Sequence, residues 1–355
     1  MKKASLILFA LVTLWASRWQ GVADAEAADT KAVTIPYRVF VTNEISGDLS
    51  VIDGQTQRVV ATVPLGKRPR GIQVSPDKRK LYIALSGSPV GGPGVDEKSL
   101  PPAEKSADGI GVLDVASLKL ERVIRGVSDP EQLAVSHDGK TLYVASEDTG
   151  MAVAVDVVSG KTVASIPVGG EPEGVGISLD DRFVYVTSEE EGQIAVIDAS
   201  RHRVVAHFKV GQRPRSLIFT RDSKRAYVTS ESDATLSVVD AKTHSVIDTL
   251  KLAGDLVRPM QVNLSPDERT VYVTTGRGKT LISVDAVALK VTGTTKVGDR
   301  PWGLALSPDG SKLYTANGPS NDVSVVDAKT LTVIATVAVG TRPWGAVAVA
   351  SQPSG

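Results

Sequence analysis

A short segment that ends in Asp recurs seven times along the chain, and this repeat limits the fold more than any other feature. The segment reads Val-Ile-Asp in its first copy and keeps the Asp throughout. The seven aspartates are Asp53, Asp114, Asp156, Asp198, Asp240, Asp285 and Asp327. Asp114, Asp156 and Asp198 follow one another at steps of 42 residues. A period of about 40–45 residues with several short strands per copy is typical of β-propellers.

The second copy can be divided into four strands. We predict strands at 71–75, 81–85, 110–114 and 121–124, because Val, Ile, Tyr and Thr dominate these runs. The first copy starts at its second strand, and residues 345–350 read as an innermost strand with nothing after it. The sequence therefore predicts an all-β, seven-bladed propeller over residues 37–350. It has four strands per blade, and N- and C-terminal strands close the ring in one blade.

Six further aspartates stand in the first hairpin of successive copies. They are Asp77, Asp138, Asp180, Asp222, Asp267 and Asp309. A repeated Asp could suggest a ladder of metal sites. We instead expect these residues to bond the backbone of their own turns, as Asp does in turns.

The N-terminal segment has the features of a secretory signal. Lys2 and Lys3 precede an apolar run over 4–16, and small residues at Ala23 and Ala25 suit a cleavage site. We predict a signal peptide at 1–25 and periplasmic localisation, with an uncleaved anchor as the alternative. After processing we expect no membrane span.

Composition excludes several function classes. The chain has no Cys, which excludes disulfides, iron–sulfur clusters, thiolate zinc sites and cysteine nucleophiles. It has 40 Lys+Arg and 40 Asp+Glu, and this balance argues against a general nucleic-acid binder. The four His fall in hairpins or outer strands. We therefore expect neither a catalytic triad nor a resident metal, although Ca²⁺ on carboxylates such as Glu147, Glu189 and Asp148 is an alternative.

Both hairpins of each blade are expected on one rim, which leaves two other loop sets on the opposite rim. The first set enters the innermost strand and repeats an Arg-Pro pair, as in Arg68-Pro69. Two copies carry acids instead, at Asp129-Pro130-Glu131 and Glu171-Pro172-Glu173. The arginines predict a basic ring at the channel mouth that receives an anion or an acidic partner. The alternative is that they are solvated or form salt bridges between blades.

The second loop set joins the second and third strands of a blade. It is acidic in blades three to five, at Glu147, Glu189 and Glu231, whereas Arg277 stands in blade six. Ion pairing between the two loop sets is an alternative to ligand binding.

Trp302 and Trp344 occupy equivalent positions in adjacent copies, beside Arg300 and Arg342. Exposed indoles next to guanidinium groups suit a flat ligand or a partner contact. The alternative is packing against Pro between blades. The residues predicted to bind a ligand or partner are Arg68, Arg70, Arg213, Arg215, Arg258, Arg300, Trp302, Arg342, Trp344, Glu147, Glu189, Glu231 and Arg277.

A Gly- and Pro-rich insertion at 86–108 lengthens the second copy. It falls in a loop of the second set. A loop of this length is usually functional or mobile, so we predict either a lid or partner-docking arm, or a mobile loop.

The repeats also resemble a known family. Val41-Thr42-Asn43, Tyr143-Val144-Ala145-Ser146 and Tyr185-Val186-Thr187-Ser188 resemble the YVTN-repeat propellers. The insertion resembles that of the subgroup associated with PQQ-dependent alcohol catabolism. This resemblance implies a periplasmic protein that works beside quinoprotein dehydrogenases without needing to bind PQQ itself.

These observations predict a non-catalytic, exported binding scaffold. It would bind a periplasmic protein partner, such as a quinoprotein dehydrogenase or a transport system, or a small anionic metabolite. We expect a monomer with no cofactor and no nucleic-acid partner. The alternatives are a lactonase-like hydrolase and a binder of a redox cofactor or single-stranded nucleic acid.

Overall fold

The computed structural model describes residues 36–91 and 99–351, so the predicted signal peptide at 1–25 lies outside the described residues. The described residues form seven four-stranded antiparallel sheets, which confirms the predicted seven-bladed propeller. Among them, no helix has the length and hydropathy needed to cross a bilayer. One-turn 3-10 helices lie at Lys105–Ala107, Glu147–Thr149 and Gly276–Gly278.

Each blade is named by its order around the ring, and its strands are given from the innermost outwards. Blade 1 contains β28 (Pro343–Ala350), β1 (Tyr37–Asn43), β2 (Asp48–Asp53) and β3 (Arg58–Pro64). Blade 2 contains β4 (Pro69–Val74), β5 (Lys80–Leu85), β6 (Gly109–Asp114) and β7 (Lys119–Ile124). Blade 3 contains β8 (Pro130–Val135), β9 (Thr141–Ser146), β10 (Met151–Asp156) and β11 (Thr162–Pro167).

The remaining blades repeat this order. Blade 4 contains β12 (Pro172–Ile177), β13 (Phe183–Ser188), β14 (Gln193–Asp198) and β15 (Arg203–Lys209). Blade 5 contains β16 (Pro214–Phe219), β17 (Arg225–Ser230), β18 (Thr235–Asp240) and β19 (Ser245–Lys251). Blade 6 contains β20 (Val262–Leu264), β21 (Thr270–Thr274), β22 (Thr280–Asp285) and β23 (Lys290–Lys296). Blade 7 contains β24 (Pro301–Leu306), β25 (Lys312–Asn317), β26 (Asp322–Asp327) and β27 (Thr332–Ala338).

Blade 1 is built from both ends of the described chain. Strand β28 pairs antiparallel with β1, so that Val39 lies opposite Ala348 and Tyr37 opposite Ala350. The innermost strand β28 also contacts the innermost strands β24 and β4 of the two neighbouring blades. The predicted innermost strand 345–350 begins two residues earlier than expected, at Pro343.

The core lies between adjacent blades, and the second strands of blades 2 to 7 each contribute a tyrosine to it: Tyr82, Tyr143, Tyr185, Tyr227, Tyr272 and Tyr314. The Tyr143 hydroxyl of blade 3 donates a hydrogen bond to the Ala199 carbonyl of blade 4 at 3.1 Å. The hydroxyls of Tyr314 in blade 7 and Tyr37 in blade 1 lie 2.6 Å apart. Tyr143 and Tyr314 thus bury their rings and satisfy their hydroxyls on the next blade.

The turn aspartates have the structural role that was predicted. Asp77 Oδ1 accepts a hydrogen bond from the Arg79 backbone N–H at 3.0 Å, and the equivalent Asp138 accepts one from Lys140. At the second hairpin, Asp53 accepts from the Thr56 N–H at 2.7 Å. These bonds satisfy turn donors that no strand partner reaches.

Candidate functional site

A cavity of about 1090 Å³ lies where the two predicted loop sets and the insertion meet. Of the predicted site residues, Glu189 is the one that does not line it. The others all do: Arg68, Arg70, Arg213, Arg215, Arg258, Arg300, Trp302, Arg342, Trp344, Glu147, Glu231 and Arg277. The first hairpins of the blades lie elsewhere, and residues such as Pro76 and Arg221 line a separate cavity of about 580 Å³.

The loops that enter the innermost strands share a strained backbone. In six of them the residue before Pro has a positive φ between 39° and 60°. These residues are Arg68, Asp129, Glu171, Arg213, Arg300 and Arg342. This conformation costs a residue with a side chain about 1–2 kcal/mol, and a following Pro disfavours helical conformations further. Strain that recurs at one place in six blades is typical of a functional surface, because the fold must hold it in place.

A β-bulge follows each of these turns. In β4, for example, Pro69 pairs with Leu85 and the next pair is Ile72 with Ile83, so the register shifts between them. A bulge re-aims the side chain at its centre. The residue after Pro is thereby directed to the cavity wall, as Arg70 and Trp302 are.

Arg70 joins blade 2 to the carboxylates of blade 3. Its side chain is buried, lies 2.5 Å from an Asp129 oxygen and forms an ion pair with Glu131. Glu147 approaches the same guanidinium at 3.3 Å. Burial alone would raise the pKa of Asp129, but Arg70 holds it below its usual value.

Arg215 forms the centre of a second buried cluster, between blades 4 and 5. Its guanidinium lies 2.5 Å from Glu173 and 2.6 Å from Glu231, and it also pairs with Glu189. Burial would lower the pKa of Arg215, but these three carboxylates raise it well above the ordinary value. Arg213 also pairs with Glu189 and lies 3.6 Å from Glu231.

Glu44 pairs with two more arginines of the predicted ring. One of its oxygens lies 2.8 Å from Arg68, and the other lies 3.2 Å from Arg342. Five of the seven predicted loop arginines are therefore paired with carboxylates, as the ion-pairing alternative proposed. They are Arg68, Arg70, Arg213, Arg215 and Arg342.

Three arginines of the cavity have no carboxylate partner within the described residues: Arg258, Arg277 and Arg300. The reason is visible in the repeats. Blades 3, 4 and 5 place a Glu directly after their second strand, whereas blades 6 and 7 place Thr275 and Gly318 there. Burial, together with nearby Arg342, lowers the pKa of Arg300. Glu231 offsets part of this effect on Arg300, but within the described residues no ion pair neutralises the three arginines on this side of the cavity.

The two tryptophans lie at this positive side. Their ring centroids are 5.6 Å apart with planes inclined by 34°. Arg300 lies over the Trp302 ring at 5.0 Å. The expectation of two exposed indoles is wrong for Trp344, which is 7% exposed because the bulged strand turns it into the ring interior. Trp302 is half-buried and keeps a face at the cavity.

Two predicted acids have strongly altered titration. Burial raises the pKa of Glu147 to about 7, with Glu173 and Asp129 adding repulsion that Arg70 partly offsets. Burial and the neighbouring Glu173 raise the pKa of Glu189 to about 10. Glu189 is buried and paired with Arg213 and Arg215, and its role as a ligand contact stays a prediction.

The described parts of the insertion form part of the cavity wall. Arg68 donates hydrogen bonds to the Ser88 and Pro89 carbonyls, and Lys105 pairs with Asp148 of blade 3. Residues 100–103 also line the cavity. The insertion thus covers the mouth over blades 2 and 3.

The sequence reasoning missed several carboxylates of the site. Asp129, Glu131, Glu171 and Glu173 were noted as breaks in the Arg-Pro pattern, yet they line the cavity. The available signal was their alignment, since each occupies the position of a ring arginine in its own blade. Acids in blades 3 and 4 therefore face Arg70 and Arg215 from the neighbouring blades.

No group of three or more His, Asp or Glu in the described part of the chain is spaced to hold a metal ion. None of the four His is among the residues that line the mouth cavity within 36–91 and 99–351.

Two family models match parts of the chain. Residues 199–334 match "Lactonase, 7-bladed beta-propeller", and residues 103–216 match "Cytochrome D1 heme domain". Each match covers less than half of the chain, and together they support a β-propeller family. The resemblance to the PQQ-associated subgroup stays a prediction. The comparison with curated proteins finds no match.

Two solved structures illustrate how widely this fold is shared. Hydrazine synthase of Kuenenia stuttgartiensis has 20% sequence identity and a TM-score of 0.66, covering 78% of this chain and 88% of that chain. A functionally unknown protein from Desulfotomaculum acetoxidans has 14% identity and a TM-score of 0.72, covering 89% of this chain and 99% of that chain. At such identities the likeness concerns the fold alone, since one fold carries many functions.

Proposed function

We propose that this chain is a non-catalytic binding protein that holds a small organic anion at the mouth of the propeller. One observation carries the proposal. Arg258, Arg277 and Arg300 line the cavity without carboxylate partners among the described residues. Guanidinium groups bind carboxylates and phosphates through paired, charge-assisted hydrogen bonds.

The neighbouring indole adds an apolar surface. The guanidinium groups of Arg300 and Arg215 lie 5.0 and 5.3 Å from the centroid of the Trp302 ring, which also lines the cavity. A ligand with an anionic end and a flat or apolar body fits this combination.

The cellular role rests on the sequence resemblance. We propose an exported protein that assists periplasmic PQQ-dependent alcohol oxidation, supported by the N-terminal signal and by the insertion at 86–108. Affinity capture from a periplasmic extract, with the full protein and with a variant lacking the insertion, tests this role. Recovery of a quinoprotein dehydrogenase by the full protein alone supports it, and recovery of none contradicts it.

The binding proposal is tested by calorimetry with hexanoate and succinate as probes. Arg277→Ala should weaken binding about tenfold, since one charge-assisted hydrogen bond is removed. Arg122 is the matched control, because it is exposed on outer strand β7 and donates to the Val158 carbonyl. Equal affinity in the Arg277→Ala protein and the parent would contradict the proposal.

A lactonase-like hydrolase is the second candidate. The lactonase family match over 199–334 and the pKa of Glu147, which burial raises to about 7, favour it, because a general base works best near the ambient pH. In such a reaction water adds to the lactone carbonyl and the ring C–O bond breaks. Turnover of gluconolactone that Glu147→Gln abolishes would favour the hydrolase over the binding protein.

The remaining alternatives fit the cavity less well. Haem iron is held by His, Cys, Met or Tyr side chains, and none of these residue types lines the described cavity. The residues therefore do not fit an iron-ligated haem. Single-stranded nucleic acid would place phosphates beside Glu147, Glu171 and Glu190. A salt-sensitive gel shift would revive this alternative.

A further inference from the structure

The cavity is divided into an acidic and a basic half. The acidic half is defined by the cavity-lining carboxylates of blades 3 to 5: Asp129, Glu131, Glu147, Asp148, Glu171, Glu173, Glu190 and Glu231. The basic half is defined by the arginines of blades 6, 7 and 1: Arg258, Arg277, Arg300 and Arg342. Glu44 of blade 1 also lies in the basic half, and Arg213 and Arg215 lie among the acids, but the excess charge of the two halves is opposite in sign.

The acidic half keeps more carboxylates than cations. Arg70 forms ion pairs with Asp129, Glu131 and Glu147. Arg213 and Arg215 form ion pairs with the carboxylates of blades 4 and 5. Lys105 of the insertion pairs with Asp148 of the adjacent blade 3. Glu190 is exposed and has no ion pair among the described residues. Negative charge therefore remains uncompensated here, as positive charge does opposite.

One buried carboxylate in this half has an oxygen without a donor. Glu131 lines the cavity with a side chain that is 8% exposed, and it pairs with Arg70. Within the described residues its Oε2 has no hydrogen-bond partner. Glu173 is also buried and pairs with Arg215, and the Glu189 side chain hydrogen-bonds to it. A buried charged oxygen without a donor is costly, so its presence in a cavity wall indicates a missing donor.

An ammonium group fits the acceptors of this half better than a metal ion does. Ca²⁺ requires six to eight oxygen ligands, yet the described residues contain no group of acids spaced for a metal. An ammonium has three N–H donors and needs only two or three acceptors.

We propose that the natural ligand is a zwitterion, with its anionic group at Arg258, Arg277 and Arg300 and its ammonium group at Glu131, Glu147 and Glu173. This inference rests on the proposed function, because it assigns the second end of the ligand that the positive side binds. Arg215 links the two halves, since it pairs with Glu173 at 2.5 Å and lies over Trp302 at 5.3 Å. The apolar body of the ligand would then lie against the part of Trp302 that lines the cavity.

Matched probes test the inference by calorimetry at low salt and pH 8. The probes are 6-aminohexanoate, hexanoate and hexylammonium, with 4-aminobutyrate and 8-aminooctanoate to cover other lengths. We expect the best zwitterion to bind at least tenfold more tightly than hexanoate, since each charge-assisted bond adds about this factor. Hexylammonium should bind weakly, because it leaves the arginines unpaired.

Variants separate the two ends. Glu147→Gln removes an assigned contact of the ammonium, and Glu190→Gln removes the exposed unpaired charge beside it. The double variant should lose the advantage of the zwitterion and keep the affinity for hexanoate, because these residues belong to blades 3 and 4 whereas the three arginines belong to blades 6 and 7. Asp248→Asn is the control, since Asp248 is exposed on outer strand β19. Circular dichroism checks that each variant is folded.

The outcomes distinguish this inference from the proposed function. If hexanoate binds as tightly as every zwitterion, the anion site stands and the zwitterion inference is overturned. If Ca²⁺ binds and the Glu147→Gln, Glu190→Gln protein loses it while no amine binds, the acidic half is a metal site and the inference is overturned. If no organic anion binds at all, both proposals fail.

Discussion

The guanidinium carbon of Arg215 lies 5.3 Å from the ring centroid of Trp302, although the two residues belong to blades 5 and 7. Arg215 also pairs with three carboxylates of blades 4 and 5. A single side chain therefore connects the acidic half of the cavity to the aromatic surface of the basic half. A substitution of Arg215 should therefore affect both halves of the cavity.

Removal of Arg215 should strongly destabilise the fold. Arg215→Met leaves Glu173, Glu189 and Glu231 without their shared cation, and breaking a buried ion pair costs about 3–5 kcal/mol. Urea unfolding measures the change. Arg201→Met is the control, since Arg201 is exposed and pairs with Asp198 at 3.4 Å, and its loss should cost under about 1 kcal/mol. Equal losses in the two variants would show that the cluster is not stabilising.

Stability should decline as pH rises through the acid-to-neutral range because of Glu147. Its pKa in the folded protein is about 7, against an ordinary value of 4.5, so the folded state binds this proton more tightly than the unfolded state. The contribution of Glu147 to the free energy of unfolding therefore falls between about pH 4.5 and pH 7, and buried Glu189 acts in the same direction. The groups that face Glu147 are Arg70, Glu173, Asp129 and Arg68.

Glu147→Gln should remove this contribution. At pH 8 the variant should be more stable than the parent by about 1 kcal/mol, after allowance for the partial exposure of the side chain. Below pH 4.5 the two proteins should be alike. Thermal unfolding at several pH values measures both comparisons, and parallel curves for the two proteins would refute the assignment of this decline to Glu147.

Ligand binding should change tryptophan fluorescence. Trp302 and Trp344 are the tryptophans of residues 36–351, and both line the cavity. An organic anion that binds Arg300 displaces water beside Trp302, so we expect a shift of the emission and altered intensity. Trp302→Phe should abolish most of the response and weaken binding about tenfold or less, whereas Trp344→Phe should retain the response. A response carried wholly by Trp344 would place the ligand deeper in the ring.

The joint between the two chain ends, where β28 pairs with β1 in blade 1, should depend on the Thr42 hydroxyl. Thr42 Oγ1 accepts a hydrogen bond from the Gly345 N–H at 2.9 Å and donates one to the Arg70 carbonyl at 2.7 Å. Thr42→Val leaves both buried backbone groups unsatisfied, which should cost about 1–3 kcal/mol in urea unfolding. Thr249→Val, on the exposed outer strand β19, should be close to neutral. A neutral Thr42→Val would mean that this bond does not hold the joint.

Hydrogen exchange gives a second measure of that joint. The amide of Gly345 should exchange faster in Thr42→Val than in the parent, because it loses its acceptor. Unchanged protection at Gly345 would contradict the assigned bond even if the stability falls.

The number of blades and the strand order could be read from the sequence because they depend on local rules. Turn aspartates such as Asp77, the repeated tyrosines and the alternation of apolar residues recur at a fixed period, and each acts within one blade or on the next. The convergence of the two loop sets on one cavity also followed from the strand order, since the loops of all blades share one rim.

The pairing of the charged side chains at the channel mouth could not be read from the sequence. The sequence contains the arginines and the acids, but which Arg meets which Glu depends on contacts between blades, such as Arg70 with Asp129, 59 positions apart in the chain. Only the tertiary structure decided that Arg68, Arg70, Arg213, Arg215 and Arg342 are paired, and that Arg258, Arg277 and Arg300 have no carboxylate partner within residues 36–91 and 99–351. The physical reason is that repeats are local, whereas the balance of charge at the axis is a sum over all seven blades.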